Sequence, residues 1–136
     1  MGAGVAYVTA SAGLEVVLID RDQESADKGK AHSEKLISSQ IAKGRAKAAD
    51  RDALLARITA TSDYAALKGC DLVVEAVFED RGVKQAATQA AQAAVGGDVI
   101  FASNTSTLPI TSLAETAQKP ENFIGIHFFS PVDRMM

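Results

Sequence analysis

The feature that most constrains this chain is a series of four short, continuous apolar runs rich in β-branched residues. They lie at 16–19, 72–74, 99–102 and 123–129. Runs of this kind, without polar alternation, are typical of strands covered on both faces, as in a parallel sheet. The segments between them have the apolar spacing of helices, and strands that alternate with helices predict βαβ units. We therefore expect an α/β fold with a doubly wound parallel sheet and right-handed connections.

Helical periodicity fills the segments between these runs. A long helix is predicted over 22–44 with Asp22 as its candidate N-cap, and a second helix over 50–57. From 83 to 94, small apolar residues recur at the spacing of one helix face. A capping box predicts a further short helix over 112–118.

The N-terminal segment is small and apolar, and it contains Gly2 and Gly4. These glycines do not form a complete dinucleotide fingerprint, because Tyr7 stands where a third glycine is required and only Met1 precedes the first. A segment of this composition that ends at Gly13 is typical of a buried helix on a sheet. We interpret Gly2 as the last glycine of a fingerprint in a Rossmann-type fold that lacks its first strand. The alternative is a chance glycine pair at a flexible terminus.

Asp20 directly follows the run at 16–19, at the tip of what would be the second strand of that fold. A carboxylate here can accept hydrogen bonds from both hydroxyls of an adenosine ribose, and it would repel the extra phosphate of NADP. The position therefore favours NAD, although the adjacent Arg21 softens the repulsion. The alternative is that Asp20 caps the following helix, for which Asp22 is better placed.

Charge and cysteine content exclude several classes of protein. The 136 residues carry a net charge of −3 with both signs interspersed, which argues against a nucleic-acid surface. No apolar run is long enough for a membrane helix, and the N-terminus lacks the pattern of a secretory signal. The single cysteine, Cys70, adjoins an apolar run and is expected to be a small buried thiol. We expect one cytoplasmic domain without a metal site.

The second half of the chain carries four ordered motifs. They are VVEAVFED at 73–80, ASNTSTLPI at 102–110, PENF at 120–123 and HFFSPVDRM at 127–135. In this order and spacing they resemble the NAD-binding domain of 3-hydroxyacyl-CoA dehydrogenases, most of all the α subunits of the multifunctional fatty-acid oxidation complex. The resemblance covers essentially the whole chain. It implies a (3S)-3-hydroxyacyl-CoA dehydrogenase that oxidises 3-hydroxyacyl-CoA to 3-oxoacyl-CoA in β-oxidation, with NAD as cofactor.

Position by position, the resemblance implies a set of cofactor contacts. Asp20 corresponds to the ribose-binding acid. Val77, Phe78 and Glu79 correspond to a segment beside the cofactor, and Lys84 corresponds to a cofactor contact one helical turn further on. The whole set comprises Met1, Gly2, Asp20, Val77, Phe78, Glu79, Lys84, Ser106 and Ser130. Ser130 stands where many members of the family have asparagine. Glu79 and Lys84 could instead form a solvated pair at a helix start.

The resemblance also implies catalytic residues. His127 corresponds to the catalytic base and Ser106 to a hydroxyl that meets both substrate and nicotinamide, with Asn104 nearby. Imidazole accepts a proton near neutral pH, and a hydroxyl and an amide can polarise the developing carbonyl. These residues lie at or just beyond the carboxyl ends of predicted strands, where ligands bind in parallel sheets. The alternatives are a structural histidine and a turn or helix-cap cluster at 103–106. Glu75, inside a strand, is interpreted as a satisfied structural acid.

A helical insertion, about residues 22–58, separates the second and third strands and carries several basic side chains. In the family a helical pair at this place helps to hold coenzyme A, and basic side chains suit its phosphates. Lys43 is the best single candidate for this substrate contact. A solvated basic face is the alternative.

Both ends of the sequence are short in comparison with the family. The first strand lies in the middle of such a sheet, so its absence leaves two strands without a ladder partner. The glutamate that orients the catalytic histidine in the family comes after the position of Met136, and the C-terminal helical substrate and dimer domain is absent too. We therefore expect this chain alone to have little or no dehydrogenase activity.

Two hypotheses remain from the sequence. In the first, the chain is the cofactor domain of an enzyme that acts on acyl-CoA substrates. In the second, it is a non-catalytic, truncated dinucleotide-binding or structural module with weak or no NAD binding. We expect no nucleic-acid partner and no membrane span. An exposed strand edge predicts either self-association or assembly with the rest of a multifunctional complex.

Overall fold

The computed structural model describes residues 1–77, 79–96, 98–105, 108, 114 and 120–127. These residues divide into two compact units, Met1–Asp63 and a second unit that begins at Tyr64. Each unit has its own parallel sheet with helices.

The first unit is a two-stranded parallel sheet with three helices. Its elements are α1 (Gly2–Ser11), β1 (Val16–Ile19), α2 (Gln23–Ala42), α3 (Ala48–Ala56) and β2 (Ile58–Thr61). β1 pairs with β2 in a register that runs from Val16 opposite Ile58 to Ile19 opposite Thr61. The predicted N-cap of α2 is confirmed, because the Asp22 carboxylate accepts a hydrogen bond from the Ser25 N–H at 2.7 Å.

The core of the first unit lies where the helices meet this sheet. It consists of Ala10, Ile37, Leu54 and Ile58, with Tyr7, Val16 and Leu18 packed against it. α2 packs closely on β1, since a Cβ on Gly29 would come within 2.7 Å of a methyl group of Leu18. Any larger residue at position 29 would therefore require the Leu18 side chain to shift.

β2 is a strand that the pattern of continuous apolar runs does not predict. Its sequence alternates apolar and hydroxyl side chains, and Thr59 is exposed while Ile58 is 1% exposed. Only Ile58 of this strand is buried, and its other three residues are exposed or half-buried, so its side chains need not be apolar on both faces. The helical insertion therefore ends at α3, and Ile58 opens a strand.

The second unit is a three-stranded parallel sheet in the order β3-β4-β5. Its elements are a 3₁₀ turn (Tyr64–Leu67), β3 (Leu72–Glu75), α4 (Arg81–Val95), β4 (Ile100–Asn104), a second 3₁₀ turn (Pro120–Asn122) and β5 (Phe123–Ile126). Phe101 of β4 lies opposite Phe123 of β5, and their rings stack with centroids 5.4 Å apart. Both rings are buried, and they form the apolar centre of this unit.

α4 confirms the predicted helix but buries a different face. The apolar spacing predicts that Val83 faces the core, yet its side chain is 45% exposed. The buried residues are instead Lys84, Thr88, Ala91 and Gln92. Polar side chains can face inward here because they have partners. The Thr88 hydroxyl, for example, donates to the Lys84 carbonyl at 2.8 Å.

Further expectations concern strand pairing, the cysteine, a short helix and membrane spans. Among the described strands, β1 pairs only with β2, and β3 pairs only with β4. Cys70 is half-buried rather than fully buried. The helix predicted over 112–118 lies outside the described residues, except for Ala114, which is helical. Within the described ranges, no helix is both long and apolar enough to cross a membrane.

Candidate functional site

Asp20 presents a carboxylate at the carboxyl end of β1. The residue is exposed, its Oδ1 accepts the Arg21 N–H at 2.8 Å, and its own N–H donates to the Thr61 carbonyl at 3.3 Å. The cap of α2 is Asp22, whose pKa is lowered from 3.8, chiefly by the hydrogen bond from the Ser25 N–H. The helix-cap alternative for Asp20 is therefore wrong.

The surroundings of Asp20 fit a dinucleotide. A connection of residues 12–15 reverses the chain between α1 and β1, so the N-terminus of α1 and the carboxyl end of β1 lie on the same side of the unit. Gly2 is the first residue of α1, and Met1 before it is 44% exposed. A helix N-terminus suits phosphate, and a carboxylate suits ribose hydroxyls. The first unit thus offers both kinds of group that the cofactor needs.

Lys43 lies at the C-cap of α2 and is exposed. A cavity of about 310 Å³ in the same unit is lined by other charged residues of this region, among them Arg45, Asp50 and Arg57. Nothing in these contacts tests the contact between Lys43 and coenzyme A, which stays a prediction.

In the second unit a buried ion pair joins α4 to the carboxyl ends of β3 and β4. Lys84 Nζ lies 2.8 Å from Glu75 Oε2 and 3.1 Å from Oε1, and it donates to the Asn104 carbonyl at 2.9 Å. The two charged side chains are 1% and 2% exposed. Ser103 Oγ donates to Glu75 Oε1 at 2.6 Å, and the Val77 N–H donates to Oε2 at 2.9 Å. Both carboxylate oxygens of Glu75 are therefore satisfied, as predicted.

The burial of Lys84 shows that the solvated-pair alternative for Glu79 and Lys84 is wrong. Sequence reasoning placed Lys84 near the cofactor but did not recognise Glu75 as its partner. The available signal was an acid inside a strand followed, nine residues later, by a lysine in the first turn of a helix that packs on that strand. An isolated charge at a buried position requires a counter-charge.

Three strand ends meet around this pair. Glu79 Oε2 lies 4.0 Å from Lys84 Nζ, and the Thr105 hydroxyl donates to the Glu79 carboxylate. The Thr105 N–H donates to the Ile126 carbonyl at 3.2 Å, which ties the end of β4 to the end of β5. His127 follows Ile126 directly and is exposed. Four predicted site residues of this unit, Glu79, Lys84, Asn104 and His127, therefore lie at the same end of its sheet.

The remaining predicted site residues differ in what the structure says of them. Val77 is 37% exposed and lies beside Glu75. Phe78, Ser106 and Ser130 lie outside the described residues.

The sequence profile of the family described as "3-hydroxyacyl-CoA dehydrogenase, NAD binding domain" matches residues 1–136. The chain belongs to this family. This match confirms the family that the sequence motifs predicted, and it confirms NAD as the cofactor.

Relatives of known name and structure agree. The fatty acid oxidation complex subunit alpha of Psychrobacter cryohalolentis is 42% identical over 135 residues, which are 99% of this chain and 19% of the relative. The structure of (S)-3-hydroxybutyryl-CoA dehydrogenase from Ralstonia eutropha matches with a TM-score of 0.92 and 39% identity, over 97% of this chain and 47% of that one. For 3-hydroxybutyryl-CoA dehydrogenase from Escherichia coli K12 the TM-score is 0.92 at 32% identity, over 99% of this chain and 29% of that one.

These matches confirm the predicted Rossmann-type α/β class. The chain spans 19% of the length of the curated relative and less than half of each of these two dehydrogenase chains.

Proposed function

We propose that this chain supplies the cofactor domain of an NAD-dependent (3S)-3-hydroxyacyl-CoA dehydrogenase, which oxidises 3-hydroxyacyl-CoA to 3-oxoacyl-CoA in fatty-acid β-oxidation. The observation that carries the proposal is the convergence of Glu79, Lys84 and Asn104 at the strand end that His127 follows. Ligands of open parallel sheets bind beyond the carboxyl ends of the strands. Membership in the family supports NAD as the cofactor at this end.

The chemistry assigns distinct tasks to the residues. The substrate loses a hydride from C3 and a proton from the oxygen on C3, and a carbonyl forms between these two atoms. His127 accepts the oxygen-bound proton, and NAD when bound accepts the hydride. Asn104 and Ser106 orient the alcohol and polarise the developing carbonyl. His127 is exposed at its strand end, as access to a substrate requires.

The cofactor contacts are assigned in the same way. Asp20 accepts hydrogen bonds from the adenosine ribose, and Met1 and Gly2 lie near the pyrophosphate at the start of α1. Val77, Phe78, Glu79, Lys84 and Ser130 supply the further contacts with the cofactor. The exposed carboxylate of Asp20 supports a preference for NAD over NADP.

Substrate, partners and location extend this proposal. The substrate is an acyl-CoA whose phosphates contact Lys43 on the helical insertion. The partner is the rest of a multifunctional complex or a second copy of the chain, and the location is cytoplasmic. The name of the Psychrobacter relative, a subunit of a fatty acid oxidation complex, supports assembly with further domains.

The test compares the 136-residue chain with a chimera in which the chain replaces the matching part, 47% of the sequence, of the Ralstonia eutropha enzyme. NADH formation from 3-hydroxybutyryl-CoA is followed by its absorbance. We expect an active chimera and little or no activity of the chain alone. His127→Gln in the chimera should lower kcat at least about 100-fold, because the proton acceptor is lost.

His32→Gln is the matched control, since His32 is an exposed histidine on α2. It should leave kcat unchanged. A His127→Gln chimera with the kcat of the parent chimera would refute the assignment of the catalytic base. An inactive chimera that is folded would refute the proposed function.

A further inference from the structure

We infer that Glu75 is a positioning residue of the NAD site, which acts through Lys84 to hold the carboxyl ends of β3 and β4 in register for the cofactor. The inference rests on the proposed function and adds to it a residue that the sequence pattern assigns to structure alone. Glu75 is 5% exposed, so it acts through its neighbours rather than by contact with a ligand.

Stability alone does not account for the pair. Two charges removed from water lose hydration, and a buried ion pair is often no more stabilising than well-packed apolar residues of the same volume. α4 is rich in alanine and packs on apolar strands, so an apolar pair would fit the surroundings. The polar pair therefore calls for a role that apolar side chains do not perform.

That role is visible in the hydrogen bonds of the Lys84 ammonium group. It meets both carboxylate oxygens of Glu75 and the Asn104 carbonyl, at 2.8, 3.1 and 2.9 Å. Through the same carboxylate, Glu75 also fixes Ser103 and the Val77 N–H. The Glu75 carboxylate thus holds the backbone just after β3 directly, and it holds the end of β4 through Lys84.

The residues proposed to meet the cofactor and substrate lie immediately beyond these fixed points. Glu79 is 4.0 Å from the same ammonium group and accepts the Thr105 hydroxyl. Thr105 in turn donates to Ile126, the residue before His127. A shift of Lys84 would therefore move Glu79, Asn104 and the end of β5 together.

The experiment uses Glu75→Gln, which keeps the size of the side chain and removes its charge. Thr88→Val is the matched control. Thr88 is 2% exposed on the same helix, and its hydroxyl donates a hydrogen bond within the helix, to the Lys84 carbonyl. The dissociation constant of NAD is measured by calorimetry for the 136-residue chain and both variants, at a temperature at which thermal unfolding shows all three to be folded. Two-dimensional NMR records the backbone amide signals of Thr105 and His127.

We expect Glu75→Gln to raise the dissociation constant about tenfold or more, since it weakens hydrogen bonds to a charged group that orders the site. The amide signals of Thr105 and His127 should shift with it. Thr88→Val should lower the melting temperature but leave the dissociation constant and those two signals unchanged.

An unchanged dissociation constant for Glu75→Gln, or equal losses in both variants, would overturn the inference. If Glu75→Gln does not fold, Ser103→Ala takes its place, because it removes a single hydrogen bond to Glu75. It should raise the dissociation constant by a smaller factor, and an unchanged value would again overturn the inference. If the unmodified chain itself does not bind NAD, the dissociation constants of the parent and both variants are measured in the chimera, whose activity tests the proposed function separately.

Discussion

Two aspartates at the start of α2 show how closely spaced residues of one type acquire different tasks. Asp22 accepts a hydrogen bond from the Ser25 N–H and is the N-cap of α2, whereas Asp20 lies at the end of β1 with an exposed carboxylate. Sequence spacing was sufficient to separate them, because an N-cap bonds locally, two or three residues ahead. It was not sufficient for Glu75 and Lys84, whose partnership depends on how α4 packs on β3.

The first prediction at this scale concerns cofactor choice. Asp20→Asn removes the charge that is proposed to attract ribose hydroxyls and to repel a 2′-phosphate, so NAD affinity should fall about tenfold and the preference over NADP should largely disappear. Calorimetric titration with both cofactors measures this. Glu15→Gln, an exposed acid before the other end of β1, is the control and should change neither affinity. An unchanged ratio of NAD to NADP affinity in Asp20→Asn would remove Asp20 from the site.

The second concerns acid stability at the Asp22 cap. The pKa of Asp22 is lowered from 3.8 in the folded chain, chiefly by the Ser25 N–H, so the charged cap stabilises the fold above that value. The contribution is lost as the pH falls from 3.8 through the folded pKa.

Asp22→Asn keeps a capping side chain that does not titrate in this range. The free energy of unfolding of wild type relative to Asp22→Asn should be constant above about pH 5 and should decrease below 3.8. Urea unfolding at a series of pH values measures it. A difference that is flat down to the acid end would contradict the assigned cap.

At the scale of elements, the sequence predicted which segments form strands and helices better than which faces they bury. The continuous runs became β1, β3, β4 and β5, because strands covered on two faces need apolar residues throughout. β2 has no continuous apolar run, because only one of its four residues is buried, so the apolar runs do not predict it. The helical spacing of α4 is as predicted, but the helix buries the face that carries Lys84 and not the face that carries Val83. Lys84 faces inward because it pairs with the Glu75 carboxylate.

The packing of β4 gives a prediction at this scale. Phe101 is 2% exposed and stacks on Phe123, while its neighbour Ile100 points to the other face and is 49% exposed. Phe101→Ala should lower the free energy of unfolding by about 3–5 kcal/mol through loss of burial and a residual cavity. Ile100→Ala, the control in the same strand, should cost less than half as much. Equal costs in denaturant unfolding would contradict the assigned core face.

At the scale of the whole molecule, the sequence motifs predicted the family and the cofactor, whereas the structure revealed the strand pairing and the buried hydrogen bonds. The ordered motifs implied the family and its cofactor, which the family profile confirmed. The division of the strands into a sheet of two and a sheet of three comes from the structure, because β2 has no continuous apolar run that would predict it. The buried network at the second sheet did not follow from any motif, because it is formed by packing between residues of β3, β4 and α4.

The most direct test of the account is calorimetric titration of the 136-residue chain with NAD and, separately, with NADP. We predict saturable binding of one NAD per chain and weaker binding of NADP, because Asp20 is proposed to accept hydrogen bonds from the ribose hydroxyls and to repel a 2′-phosphate. A folded chain that shows no saturable binding of NAD would contradict the central claim that these residues form a cofactor domain.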